Sequence, residues 1–365
     1  MIRFTCAVFL SLALAGAAFA QDDQFVFRRD GFVSIVPSHE SWNVGDSSSF
    51  SQTAVIASVY LPLGREWSVS FRTMGAGVSG DVPSLDGLGD TQLGLSYNFL
   101  EQNIVINTSL NIPSGKQQLT TQEFQTSILI SKSVLDLAVP NFGQGFGVTI
   151  GGIWGIQLSE ETVVGVGASY AYLGTYTPLD QYTDKYDPGD ELLLTGGIEL
   201  RLSRTIDVSG DVIFTTYGRD KLEDAEVFGV GNKIVAHAQM RKSFVASDLR
   251  ISALYRSRGR SELAVGEAFV TETERFIPNQ FEIRAQYQHR FSHNLSGRIA
   301  ARLELTEETA DRYSDASILG VGLGADISLD GRFVVAPVAE YDFGTLKEGL
   351  DVTGIQGGIG ISWRF

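Results

Sequence analysis

Cysteine occurs once in 365 residues, at Cys6, which leaves no material for a disulfide framework or a cysteine-built metal centre. The nine prolines and the absence of a Gly-X-Y period exclude a collagen-like chain, although glycine is plentiful at 40 residues. Basic blocks of five or more residues are missing and the net charge is −15, so the electrostatic footprint of a nucleic-acid binder is absent. An apolar fraction of 43% argues against disorder. After the first twenty residues no segment suits a membrane-spanning helix. Even the uncharged stretch from Leu137 to Ser159 carries Pro140, Asn141 and six glycines.

Signs of catalytic chemistry are equally sparse. The four histidines are His39, His237, His289 and His293. His289 and His293 sit on a strand end and its turn, without the shared helical face that a two-histidine zinc motif needs. No G-x-S-x-G elbow occurs, and Ser292 beside His293 reads as a turn. The glycine patterns 143–147 and 320–324 precede no helix and read as packing or bending sites. Asp184, Asp187, Asp190 and Glu191 form an acidic loop whose spacing fits no 12-residue calcium loop. The expectation is a chain with no cofactor, no metal and no enzymatic activity.

What is present begins with an export signal. Arg3 supplies a positive start, Ala7 to Leu14 an apolar stretch, and Ala18-Phe19-Ala20 a small-x-small cleavage site. Residues 1–20 are therefore read as a signal peptide and 21–365 as one domain. Cleavage also removes Cys6.

The dominant signal from about residue 50 onward is a period of two. Leu93, Leu95, Tyr97 and Phe99 share one face, and Gln92, Gly94, Ser96 and Asn98 the other. Phe281, Ile283, Ala285 and Tyr287 alternate with Glu282, Arg284, Gln286 and Gln288. Such alternation is that of a strand. Short polar turns, among them Gly64-Arg65-Glu66, Glu101-Gln102-Asn103, Ser159-Glu160-Glu161 and Ser292-His293-Asn294, alternate with longer connections near 78–90, 113–145, 175–190, 218–230, 259–275 and 344–350. Short turns on one rim and long loops on the other describe an all-β, antiparallel transmembrane barrel. The even-number rule gives 16 strands, with 14 as the alternative. A soluble sandwich would also alternate, but its core would reject the charged face. Aromatics at segment ends (Trp67, Tyr97, Tyr170, Tyr341, Trp363) match interface girdles. The chain ends in an alternating strand with Trp363 and Phe365, a terminal signature resembling the insertion signal of outer-membrane barrels.

With apolar faces toward lipid, the opposite faces line a lumen. Arg250, Arg256, Glu282, Arg284, Gln286, Gln288 and Arg290 fall there, with Arg298, Arg302 and Glu304 from the next segment and Glu340 and Asp342 from a later one. These charges read either as a structural ladder of ion pairs or as a selective constriction. Like charges directly opposite are unfavourable, so the hairpin through 292–294 is expected to set Arg284 against Glu304. One segment breaks the period. Thr120-Thr121-Gln122-Glu123 matches a capping box, Phe124, Ile128 and Leu135 would share a helical face, and Pro140 would stop the helix. A short helix in the loop 113–145 is expected, with an extra strand pair as the alternative.

The stretches Gly87-Leu88-Gly89-Asp90-Thr91-Gln92-Leu93-Gly94-Leu95-Ser96-Tyr97 and Leu110-Asn111-Ile112-Pro113-Ser114-Gly115-Lys116 resemble the outer-membrane channels of the fatty-acid and aromatic-hydrocarbon uptake group (FadL-like), most of all its phenol-degradation-associated branch. The resemblance implies a monomeric barrel in the outer membrane of a Gram-negative bacterium, with a helical loop at its entrance and apolar contacts from Phe124, Ile128 and Leu135. It implies passive uptake of small hydrophobic or amphipathic molecules, and a sideways exit into lipid near glycine-rich strands such as Gly320, Gly322 and Gly324. The charged lumen points instead to a narrow porin for polar solutes, and a packed lumen would mean a closed structural barrel. Partners would be outer-membrane lipid and lipopolysaccharide, the barrel-insertion machinery and a small-molecule solute. Little room remains before the first strand for the N-terminal plug of the fatty-acid channels.

Overall fold

In the computed structural model the described residues are 30–365 apart from 46–47, 100–102 and 267. The expected signal peptide and the expected turn at 101–102 lie outside them.

The period of two becomes sixteen barrel strands. They are β1 (Phe32–Val44), β2 (Ser48–Leu63), β3 (Trp67–Gly80), β4 (Thr91–Phe99), β5 (Ile104–Ile112), β6 (Gly147–Gln157), β7 (Thr162–Leu173) and β8 (Glu191–Ser203). The second half comprises β9 (Ile206–Tyr217), β10 (Lys233–Ser243), β11 (Ser247–Arg258), β12 (Gln280–Arg290), β13 (Leu295–Thr306), β14 (Ser317–Ser328), β15 (Phe333–Leu346) and β16 (Leu350–Arg364). Each pairs antiparallel with its sequence neighbours. The ring closes where β1 meets β16, from Phe32 opposite Arg364 to Val44 opposite Val352.

Alternation sorts the side chains as expected. Ile355, Ile359, Ile361 and Trp363 of β16 are exposed on the outside, while Val352, Gly354 and Gln356 are buried within. Aromatic pairs gather near the rims. Trp67 and Tyr97 stack at 4.4 Å and Trp363 and Phe365 at 4.9 Å on the short-turn side, with Tyr341 and Phe343 at 5.9 Å toward the other.

The long-loop rim departs from expectation in two ways. The connections near 78–90 and 344–350 are not long loops. Strands β1–β3, β15 and β16 run for 13 to 16 residues; β15 and β16 take up most of 344–350, and in 78–90 the short strand Leu85–Leu88 folds back on β3. Outward residues of β2 change from Leu63, Leu61, Val59, Ala57 and Val55 to Thr53, Ser51 and Ser49, so this wall rises beyond the apolar band. On the opposite side three loops zip into a five-stranded crown: Tyr186–Asp187, Arg219–Leu222, Ala225–Gly229, Glu262–Val265 and Ala268–Thr271. Arg219 ties it together through Glu226 at 2.9 Å, Glu262 at 3.3 Å and the Phe269 ring at 3.7 Å.

Glycine tests the inside–outside assignment. A Cβ on lumen-facing Gly354 would lie 2.8 Å from the Trp42 ring, whereas one on outward Gly357 would meet nothing nearer than 3.8 Å. Gly354→Val should destabilise the barrel by about 1–3 kcal/mol through overpacking. Gly357→Val should leave it near wild type. The temperature at which the folded band is lost on unboiled gels separates the two.

Candidate functional site

The expected helix forms as α1 (Thr121–Ile130), and its capping box is complete: the Glu123 amide donates to Thr120 Oγ1 at 3.2 Å and the Thr120 amide to Glu123 Oε2 at 3.0 Å. Its end is earlier than expected. The Ser127 and Ser131 hydroxyls donate back to the Phe124 and Ile128 carbonyls at 2.8 Å, and α1 stops there rather than at Pro140. Leu135 therefore does not share the helical face of Phe124 and Ile128. It lies in a following 3-10 turn, fully buried, while Phe124 and Ile128 are 38% and 46% exposed. The buried helical positions are Thr126, Leu129 and Ile130.

From α1 the chain descends into the barrel as a strap over 131–139. Ile130, Val134, Leu135 and Leu137 pack with Trp42, Phe50, Val78, Ile318, Leu346 and Val352 on the tall wall. Deeper still, its backbone is claimed by lumen side chains. Gln52 donates from Nε2 to the Val139 carbonyl and accepts from the Val139 amide, both at 2.8 Å. Glu40 accepts from the Ala138 amide at 3.2 Å. Asp136, at φ +46°, reaches Arg302 Nη1 at 3.3 Å, and Lys132 pairs with Asp311 of the 307–316 loop.

Arg302 is the centre of this arrangement, with its side chain 1% exposed. Its guanidinium faces Asp342 at 2.8 Å, Glu340 at 3.2 Å and Glu304 at 3.3 Å besides Asp136. Gln356 donates to Asp342 and Gln280 to Glu304. The glycines of β14 make room for it. A Cβ on Gly320 would stand 2.5 Å from Asp342 Oδ1 and one on Gly324 2.5 Å from Arg298 Nε. Gly320, Gly322 and Gly324 thus face the lumen, on a strand paired along both edges. They cradle charges, and the β14–β15 ladder is interrupted just beyond them, at Ala325–Asp326 opposite Ala336–Pro337.

The hairpin register corrects one expectation. Arg284 stands opposite Arg302 and Glu282 opposite Glu304, not Arg284 opposite Glu304. The long side chains escape the like-charge opposition by pairing elsewhere: Arg284 points to Glu282 at 3.7 Å and Glu340 at 3.9 Å, Arg302 to the carboxylates of β13, β15 and the strap.

The remaining expected lumen residues face inward on β11–β13. Arg256 donates to Gln280 at 3.1 Å, Gln288 to Asp326 at 2.8 Å, and Arg298 lies 3.8 Å from Asp326. On these strands Arg302, Glu304 and Gln280 are buried, whereas Arg250, Arg256, Arg284, Gln286, Gln288 and Arg298 are half-buried and Arg290 is exposed. Along β12 and β13 the lumen is filled where the strap meets them and water-accessible toward the short turn.

A second centre escaped sequence reading. Three residues, 89–91, oppose two, 73–74, between the short strand Leu85–Leu88 and β4, a bulge that interrupts the wall. Asp90 sits in the bulge. Its carboxylate accepts from the Gly115 amide at 2.9 Å, the Gln144 amide at 2.8 Å and Asn111 Nδ2 at 2.9 Å. The Gly-Asp and Pro-Ser-Gly-Lys stretches thereby meet, and one side chain holds both ends of the helical loop. Only glycine fits at 115, where a Cβ would lie 2.5 Å from the Phe142 carbonyl oxygen. In the acidic loop, Asp190 is committed to the Tyr170 hydroxyl and the Leu173 amide. Among the described residues no three His, Cys, Asp or Glu side chains are arranged to hold a metal.

No family model matches the chain, and no curated protein does. Solved structures do. A bacterial polysaccharide outer-membrane secretin is 11% identical, with 92% of this chain and 98% of that one covered at a TM-score of 0.50. The CymD monoaromatic hydrocarbon channel is 12% identical over 92% and 88%, at 0.47. The outer-membrane channel DcaP of Acinetobacter baumannii is 12% identical over 92% and 96%, at 0.48. At these identities the likeness concerns the fold alone.

Two outcomes check the site. Arg302→Met should cost about 3–5 kcal/mol, because it strands buried carboxylates. Arg302→Lys should recover only part, since an ammonium cannot present Nε, Nη1 and Nη2 to separate partners; urea unfolding in detergent measures both. The second outcome concerns pH. The Lys116 ammonium at 2.6 Å, with the Thr120 amide, holds the Glu123 carboxyl below its ordinary 4.5. A depressed carboxyl contributes stability that is present above its unfolded pKa and lost as pH falls through the folded one. Protease cleavage within 113–145 should be unchanged from pH 7 to about 5.5 and accelerate below about 4.

Proposed function

We propose that this protein is an outer-membrane channel of a Gram-negative bacterium that admits small amphipathic molecules by passive diffusion. The observation that carries this reading is the asymmetry of the lumen. Arg302, Glu304 and their partners bind the strap on β12, β13 and β15, while Arg284, Gln286, Gln288, Arg290 and Arg298, nearer the short-turn ends of β12 and β13, stay in contact with water. A barrel closed by packing alone would bury both. Phe124 and Ile128, exposed on α1, supply apolar contacts near the entrance for molecules with a hydrophobic part. The strand ladder is interrupted at the Asp90 bulge, at Arg201/Ser203 between β8 and β9, beside Pro37 between β1 and β16 and beside Pro337 between β14 and β15; we place a sideways release into lipid at the bulge, because it adjoins both ends of the helical loop.

The half-exposed Arg and Gln wall favours a second reading, a narrow porin for polar solutes. Planar-bilayer recording and liposome uptake distinguish them. Discrete conductance with faster uptake of a small phenol than of arabinose supports the first; the reverse order supports the porin. Neither conductance nor uptake would leave a closed structural barrel. Glu40→Ala combined with Gln52→Ala frees the strap backbone and should raise unitary conductance at least twofold, or make it noisy, if the strap narrows the path.

A further inference from the structure

Outside the lumen, between the first two long loops, lies a cleft of ≈ 640 Å³. Lys116, Gln117 and Gln118 form one side; Thr175, Tyr176, Thr177 and Lys185 form the other. No carboxylate lines it, in a chain where acidic residues outnumber basic ones by 43 to 28. The Lys185 ammonium, the Gln118 amide and the Thr175 and Thr177 hydroxyls make no side-chain hydrogen bond or ion pair to other described residues. Lys116 is held in place by Glu123 at 2.6 Å and the Asp86 carbonyl at 3.3 Å. Burial, with the Asp220 and Asp90 carboxylates nearby, pushes the Tyr176 phenol up.

The walls are fixed before any ligand arrives. Leu119 donates to the Pro178 carbonyl and accepts from the Asp180 amide, both at 3.0 Å. Tyr176 and Tyr186 exchange two backbone hydrogen bonds at 2.8 and 2.9 Å, with their rings edge to face at 5.8 Å. Asp90 anchors Gly115 just below. One unpaired ammonium, Lys185, with unengaged neutral donors and a preset frame, suits an oxyanion, since little ordering remains to be done on binding.

We propose that this cleft binds a small oxyanion, a carboxylate or phosphate group, at the long-loop mouth of the barrel, with Lys185 as the principal charge. The inference does not require the lumen to conduct. The group could belong to a free solute or to the phosphorylated sugar of lipopolysaccharide, and calorimetry on the purified full barrel in detergent free of lipopolysaccharide separates these sources. Saturable binding of benzoate or inorganic phosphate, weakened at least tenfold in Lys185→Gln and unchanged in Lys221→Gln of the crown, supports a solute site. Saturation only when purified lipopolysaccharide is titrated, with the same loss in Lys185→Gln, supports a headgroup site. The proposal is overturned if none of the three probes saturates. It is equally overturned if binding survives both Lys185→Gln and the double change Thr175→Ala with Thr177→Ala, provided the folded band on unboiled gels shows these variants intact.

Discussion

A ribbon exposed to hydrocarbon must give every backbone N–H and C=O to a neighbouring strand, and that requirement shapes the rest of this molecule. It forces the sheet to close, β1 onto β16. Closure turns half of all strand side chains inward. The interior then inherits whatever the sequence places at alternate positions, including the arginines and carboxylates of β11–β15. A soluble fold could turn such groups to solvent. Here they must find partners across the lumen or keep water beside them, and β12 and β13 do both along their length.

The strap is the consequence on the filled half. Four carboxylates (Asp136, Glu304, Glu340 and Asp342) crowd one guanidinium, and the loop contributes one of them. Removing water from such a cluster is expensive unless its geometry is well satisfied. Satisfaction comes from β14 glycines that leave space, from Gln356 and Gln280 that donate, and from a backbone held by Gln52. The loop is therefore part of the wall's electrostatics and not a cover laid upon it.

Much of the fold was legible in the sequence, because alternation and turn spacing are local. The same holds for the Thr120–Glu123 cap, which depends on four consecutive residues. The early end of α1 was also local in origin, in Ser127 and Ser131, but the apolar spacing of Phe124, Ile128 and Leu135 spoke louder. The hairpin register was not legible. A preference against like charges weighs only the two strands concerned, whereas Arg302 answers to β15 and to a loop more than 160 residues away. The crown and the Asp90 junction were hidden for the same reason: each is assembled from segments far apart in the chain. Gly89-Asp90 and Ser114-Gly115-Lys116 stood out by their composition, yet nothing in them announced that one carboxylate would tie both.

The meeting of the two chain ends has a bearing on biogenesis. Gly31 and Phe365 exchange two backbone hydrogen bonds at 3.0 Å, so the first strand waits, unpaired on one flank, until the last residues arrive. A chain stopped short of β16 would not make a smaller pore. It would present two raw flanks, because β1 and β15 would each lack the neighbour that β16 supplies.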